Sequence, residues 1–134
     1  MPPFPSLPPE RIVLLTNEGQ CAQAAQAITA AGVVGFDTES KPLFRSDAPQ
    51  TGPHVLQLAI RDRAFLVQVD QYRPDDFLRQ VLESESILKV GFGLNNDHRP
   101  LHTKLGIALR HTLDLGPFFR RLGYKDAVGA KAAV

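Results

Sequence analysis

Residues 33–39 read VVGFDTE, and residues 87–97 read ILKVGFGLNND. In an extended chain successive side chains point to opposite faces. Val34, Phe36 and Thr38 therefore share one face, and Val33, Gly35, Asp37 and Glu39 share the other. Val34 and Phe36 suit a core, which sends Asp37 and Glu39 out together on the opposite side, their Cα atoms about 6.5 Å apart. The second stretch is a short apolar strand that leaves through Gly91-Phe92-Gly93. A helix follows, with Asn95 or Asn96 as its cap and Asp97 in its first turn.

The flanking sequence supplies the rest of a sheet. Residues 11–16 (RIVLLT) form a short strand candidate, Asn17 is placed to cap a helix, residues 20–31 are alanine-rich, and Gly32 stops them. Residues 54–60 and 65–69 are two strands joined by Arg61-Asp62-Arg63, a link so short that it forces an antiparallel hairpin. Pro74 and Asp75 open a helix with the apolar stripe Phe77, Leu78, Val81 and Leu82. The helix after Gly93 runs to Leu105 and stops at Gly106, with Pro100 early enough in it to be tolerated. A last strand covers 112–115, a helix starts over 117–122, and the alanine-rich residues from Asp126 read as another helix. A hairpin followed by helix–strand crossovers predicts an α/β domain: a mixed sheet of about five strands flanked by helices. Residues 1–10, with prolines at 2, 3, 5, 8 and 9, form an extended arm before one domain over 11–134.

Composition narrows the function classes. With 43% hydrophobic and 22% charged residues and a net charge of +1, the 134-residue chain is not a disordered one. No apolar run approaches the ~20 residues that span a bilayer, so no membrane partner is expected. The single cysteine, Cys21, excludes a disulfide framework and a zinc knuckle and reads as a small buried hydrophobe. The start MPPFP lacks the basic and apolar regions of a signal peptide, which gives a cytoplasmic expectation. Charge is unevenly spread. From His98 to Val134 seven basic residues face two acidic ones, a bias that suits phosphate but also fits a solvated helix face.

Two carboxylates on a largely apolar strand repel each other and lose solvation. A divalent cation relieves both, and Mg²⁺ or Mn²⁺ prefers carboxylate oxygen and water. Taken alone, Asp37 and Glu39 are better explained as a strand end emerging into water, and Asp97 as a charge on a helix dipole. Together, at the exits of strands in a mixed sheet, the three could converge on one rim, where α/β sites lie. Gly91-x-Gly93 is not a dinucleotide fingerprint, because Asn96 stands where its third glycine belongs.

VVGFDTES, then VLQLAI, then LKVGFGLNNDHRPLHTKLGI resemble the DEDD superfamily of 3′–5′ exonucleases, on the branch of ribonuclease D and the Werner-syndrome exonuclease domain. Asp37 and Glu39 match the first motif and Asp97 the second, while HTLDLGPFFRRLGY resembles the T-x-D/E-L segment that follows. The likeness covers roughly residues 11–134. It implies a ribonuclease H-like fold and removal of nucleotides from the 3′ end of single-stranded DNA or RNA with two ions, Mg²⁺ or Mn²⁺. Asp37 would bridge both ions, Glu39 bind one, and Asp97 help place the second. The family carries a fourth carboxylate and a tyrosine in a later Y-x-x-x-D motif. This chain ends before that point, and Tyr124 and Asp126, spaced Y-x-D, come too early to fill the role. The domain is thus expected to be C-terminally shortened, with apolar sheet surface left for a homo-oligomer. A catalytically inactive nucleic-acid-binding or interaction module of the same descent is the second reading, and the missing motif favours it.

Weaker candidates surround the motifs. The resemblance implies that a backbone group near the first motif meets the substrate 3′ end, which makes the Thr38 backbone a candidate, while its side chain is expected to face the core. Phe92 and Leu94 are candidates for stacking or wedging against a base, although filling core is the better reading of Phe92. Asn96 is either a substrate contact or a helix cap. His98 and His102 have a metal-ligand spacing without a third partner, so ordinary histidines fit better. Lys41 and Arg45 either neutralise phosphate or solvate a loop.

Overall fold

The computed structural model describes residues 8–39 and 53–117. Lys41, Arg45, Tyr124, Asp126, most of the proline-rich arm and the expected alanine-rich helix from residue 126 lie outside the described residues. A 3₁₀ turn over Pro9–Arg11 leads into β1 (Ile12–Leu14). Asn17 then starts α1 (Glu18–Ala31), its side-chain oxygen accepting from the Gln20 amide at 2.9 Å. Gly32 ends α1 at φ +76°, the left-handed geometry that glycine adopts without strain. β2 (Val33–Glu39) follows, then β3 (Val55–Ala59) and β4 (Ala64–Gln68), joined by the short turn at residues 60–63. α2 (Asp75–Leu82) opens at Pro74 and buries Phe77, Leu78, Val81 and Leu82, the expected stripe. β5 (Leu88–Gly91), α3 (Leu94–Pro100) and β6 (Thr112–Asp114) complete the described chain.

The sheet has six strands in the order β1-β4-β3-β2-β5-β6. Each of the six falls at a strand candidate read from the sequence, in line with a sheet of about five, and both edges are strands of three residues. The hairpin is antiparallel within itself and against β2, whereas β1–β4, β2–β5 and β5–β6 are parallel. The registers place Ile12, Ala64, Ala59, Gly35, Val90 and Leu113 in one row across all six strands. The other face carries Val34, Phe36, Leu56, Leu58, Phe65 and Val67, all buried in one cluster with the apolar faces of α1 and α2. On the row's face Ile12, Leu14, Val33 and Leu113 remain 40–46% exposed.

Two local differences from the sequence reading concern α3. Neither Asn95 nor Asn96 caps it. The helix begins at Leu94 with Gly93 as N-cap, φ +74°, so both asparagines fall inside the first turn. Pro100 is its last residue rather than an early one. Proline lacks an N–H and its ring crowds the carbonyl four residues back. The chain accordingly widens into a π turn over Leu101–Leu105, which Gly106 ends at φ +69°.

Lys89 was not singled out by its sequence, yet it is fully buried beside Val34 on the helix-covered face. Its Nζ donates to the carbonyls of Val81 at 3.0 Å and Ser84 at 2.6 Å, at the C-terminal end of α2. A cation suits that end of a helix, and the bonds tie α2 to β5. Burial nevertheless pushes the ammonium down to about 8 from 10.5. Across that window the unfolded chain holds a proton that the folded chain has released, so folding gains stability as pH rises. Urea unfolding of wild type and Lys89→Met at several alkaline pH values checks this. The wild type gains on the variant between about pH 8 and 10, and parallel curves would refute the buried charge. Lys89→Ala costs about 2–4 kcal/mol at pH 7, from a cavity and two unsatisfied carbonyls.

Candidate active site

The site is built where β2 and β5 run out side by side. Their pairing is parallel and sets Gly35 opposite Val90, so β5 leaves the sheet at the level of Phe36 and Asp37. The exit is tight. A Cβ on Gly91 would overlap the carbonyl oxygen of Phe36 and press on Leu94 at 3.1 Å. Only a hydrogen at that position lets the turn lie against β2. Gly93 then takes a left-handed conformation and launches α3 across the rim.

β2 alternates as its sequence requires. Val34 and Phe36 are buried, Asp37 and Glu39 are exposed on the opposite face, and Thr38 is half-buried on the helix side. Thr38 does more than its sequence suggested. Its backbone N–H donates to Asp37 Oδ1 at 2.9 Å, and its hydroxyl donates to Asp97 Oδ1 at 3.3 Å. One residue thus links the carboxylates of two segments sixty positions apart. Burial raises the Asp97 carboxyl above its ordinary pKa, the charges of Asp37 and Asp114 push it further, and the Thr38 hydroxyl and His98 oppose the rise. Burial likewise raises Asp37, with Glu39 adding to the effect and the Thr38 N–H opposing it.

Glu39 stands on the same face as Asp37, two residues along the strand, and its carbonyl accepts from the His54 amide at 2.8 Å. Among the described residues no three His, Cys, Asp or Glu side chains form a group that could hold an ion. The donor chemistry still suits Mg²⁺ or Mn²⁺: oxygen donors only, at two carboxylates, Asp37 and Asp97, whose charge is disfavoured by burial and by neighbouring carboxylates. Phe92 is half-buried in the glycine turn, and Asn96 is exposed on α3. Leu94 is 0% exposed, which removes it as a wedge between bases: it fills core. His98 is half-buried and His102 is exposed in the π turn beyond Pro100.

Sequence reasoning passed over the part played by Asp114, at the end of β6. Its Oδ1 accepts from the amides of Gly93 at 3.0 Å and Gly116 at 2.9 Å, and its Oδ2 from the amide of Asn95 at 3.0 Å. The T-x-D/E-L likeness marked the residue without saying what it does. A cap supplied from another strand has no local spacing to betray it.

Gly91→Ala is expected to cost about 1–3 kcal/mol as the turn is forced off β2, and to separate Asp97 from Thr38. Chemical denaturation gives the first quantity, and loss of the nuclear Overhauser contact between the Thr38 methyl and Asp97 Hβ gives the second. An unchanged contact would show that the close approach is not needed.

Comparison with known proteins agrees with this geometry. A family model described as 3′-5′ exonuclease matches residues 12–126. No match to a curated protein was found. Among solved structures, the Aedes aegypti Nibbler EXO domain is similar at 18% identity and a TM-score of 0.70, over 90% of this chain and 60% of that one. The EXD2 exonuclease domain soaked in Mg and GMP is similar at 25% identity and a TM-score of 0.66, over 83% of this chain and 59% of that one. Trypanosoma brucei RNase D, in complex with GMP, is similar at 20% identity and a TM-score of 0.70, over 87% of this chain and 37% of that one. The chain therefore spans about 60% or less of the length of these relatives. The mixed sheet with its flanking helices is ribonuclease H-like, and the family match runs from β1 past Asp37, Glu39, Asp97 and Asp114: the chain belongs to the 3′–5′ exonucleases of the DEDD superfamily.

Proposed function

We propose that this domain hydrolyses phosphodiester bonds from the 3′ end of single-stranded nucleic acid, using divalent cations held by Asp37, Glu39 and Asp97. The observation that carries the reading is Thr38 bonding both Asp37 and Asp97, which puts carboxylates from two separate motifs at one rim of the sheet. Similar structures support it: one is the EXD2 exonuclease domain soaked in Mg and GMP, and another is a Trypanosoma brucei RNase D complex with RNA U12. When bound, Mg²⁺ or Mn²⁺ lowers the pKa of a water and offsets charge on the leaving 3′ oxygen.

The chain's own residues have separate tasks. Asp37 and Glu39 face outward from the end of β2 and present oxygen donors on one side. Asp97 presents a third from α3, held in orientation by the Thr38 hydroxyl. The Thr38 N–H does the same for Asp37, so neither carboxylate is free to swing away. Phe92 and Asn96, beside the glycine turn, are the candidates for contact with the terminal nucleotide. The bond cleaved is common to DNA and RNA, and only contact to the 2′-OH separates them.

Two measurements test the reading. Both aspartates have a folded-state pKa above the ordinary value. The stability that their protonated forms contribute is complete below the ordinary carboxylate range and is lost as pH rises through the raised values. At neutral pH without divalent cations, Asp37→Asn and Asp97→Asn are therefore expected to melt at or above the wild-type temperature. Added Mn²⁺ reverses the order: at ~100 times its Kd it stabilises the wild type by about 2.7 kcal/mol and leaves both variants unmoved. A wild type that ignores Mn²⁺ contradicts the proposed ligands.

The second measurement is digestion of a labelled oligonucleotide. Mononucleotides released from the 3′ end only with Mg²⁺ or Mn²⁺, and lost by at least a hundredfold in Asp37→Ala, support hydrolysis. Salt-sensitive binding without release would assign the chain to the non-catalytic reading.

A further inference from the structure

α3 has seven residues, and its N-cap is a glycine that offers no side chain to its first amides. Such a helix has little stability of its own and no local device fixing its direction. The missing acceptor comes from Asp114, 21 residues from Gly93 and 19 from Asn95. Its two oxygens take the amides of Gly93 and Asn95 and, from its own exit, Gly116. A cap within the same segment would only stabilise the helix. One from β6 also fixes the helix on the sheet, because Asp114 itself is registered against Gly91.

We propose that Asp114 is a positioning residue: by holding the Gly93 and Asn95 amides against the end of β6, it sets the tilt of α3 that delivers Asp97 to Thr38. The proposal rests on the role given to Asp97 above. Asp114 is not thereby a further metal ligand, since its oxygens are directed at backbone N–H groups. A carboxylate is needed for a stated reason. Both oxygens accept, and an amide of the same shape would set an N–H donor against a backbone N–H on one side or the other. The charge also lies at the positive end of α3, where an anion is favoured. Asp114→Asn therefore keeps the size and removes at least one bond and the charge, whereas Asp114→Glu keeps the charge on a longer stem.

Nuclear magnetic resonance and Mn²⁺ binding on the full chain test the proposal. In Asp114→Asn the amides of Gly93 and Asn95 are expected to exchange at least tenfold faster, with the core amides of Leu58 and Val67 unchanged. The contact between the Thr38 methyl and Asp97 Hβ should weaken or vanish. Affinity for Mn²⁺ alone should fall roughly 10- to 100-fold, the range found when groups that support metal ligands are removed. Turnover of an oligonucleotide should fall by a similar factor with KM within about twofold. Asp114→Glu should recover most of each loss.

Faster exchange with the Thr38–Asp97 contact and Mn²⁺ affinity intact would overturn the proposal, leaving Asp114 a local staple. If Asp114→Asn does not fold, Asp114→Glu against wild type decides. A displaced Asn95 amide with unaltered Mn²⁺ affinity again overturns it, and a matched shift in both upholds it. A wild type that binds no Mn²⁺ refutes the role given to Asp97. The Thr38–Asp97 contact then still reports on Asp114 by itself.

Discussion

The site depends on how closely two parallel strands can leave a sheet together. β5 passes the carbonyl of Phe36 at a distance that admits a hydrogen and excludes a methyl group. With that approach the first turn of α3 lies over the end of β2, and a hydroxyl on one strand reaches a carboxylate on the other segment. A wider exit would leave Asp37 and Asp97 on separate edges of the molecule, each solvated and each ordinary. Packing at one glycine is thus converted into electrostatics at two aspartates. Burial first, and neighbouring carboxylates after it, raise the pKa of both.

The fold was legible wherever the physics is local. Alternation in VVGFDTE gave the two faces of β2, Asn17 and Gly32 marked the ends of α1, and the three-residue link at 61–63 admitted only a hairpin. The stripe on α2 was read in the same way. What escaped was contact between distant segments. Nothing local in the strand explains Lys89, and only the end of α2, folded over it, supplies the carbonyls that accept its hydrogen bonds. Asn95 and Asn96 were reasonable caps by type, but the helix starts ahead of both with Gly93 as its cap, and Asp114 from β6 accepts from the Gly93 and Asn95 amides.

At the site the division is the same. The three acidic residues were singled out by type and spacing, and by family likeness, while the contacts that Thr38 and Asp114 make around them were not. Thr38 was read as core-facing, and its side chain does point to the helix side. The sequence could not show that the helix meeting it there carries Asp97. Pro100 was read as early in a helix running to Leu105, but α3 ends at Pro100 and a π turn carries the chain on to Leu105. The π turn that follows absorbs the proline without ending the run, and it keeps Leu101 and Leu105 in the core.

The described helices bury one face of the sheet and leave Ile12, Leu14, Val33 and Leu113 in contact with solvent on the other. The sheet's edges are different in kind. Each is a strand of three residues, too short to offer a neighbouring molecule much of a backbone ladder. Attraction between apolar surfaces is non-directional, weakens on cooling and strengthens with sulfate. Where the described residues leave this face bare, what it offers a neighbour is apolar area rather than a register of backbone bonds.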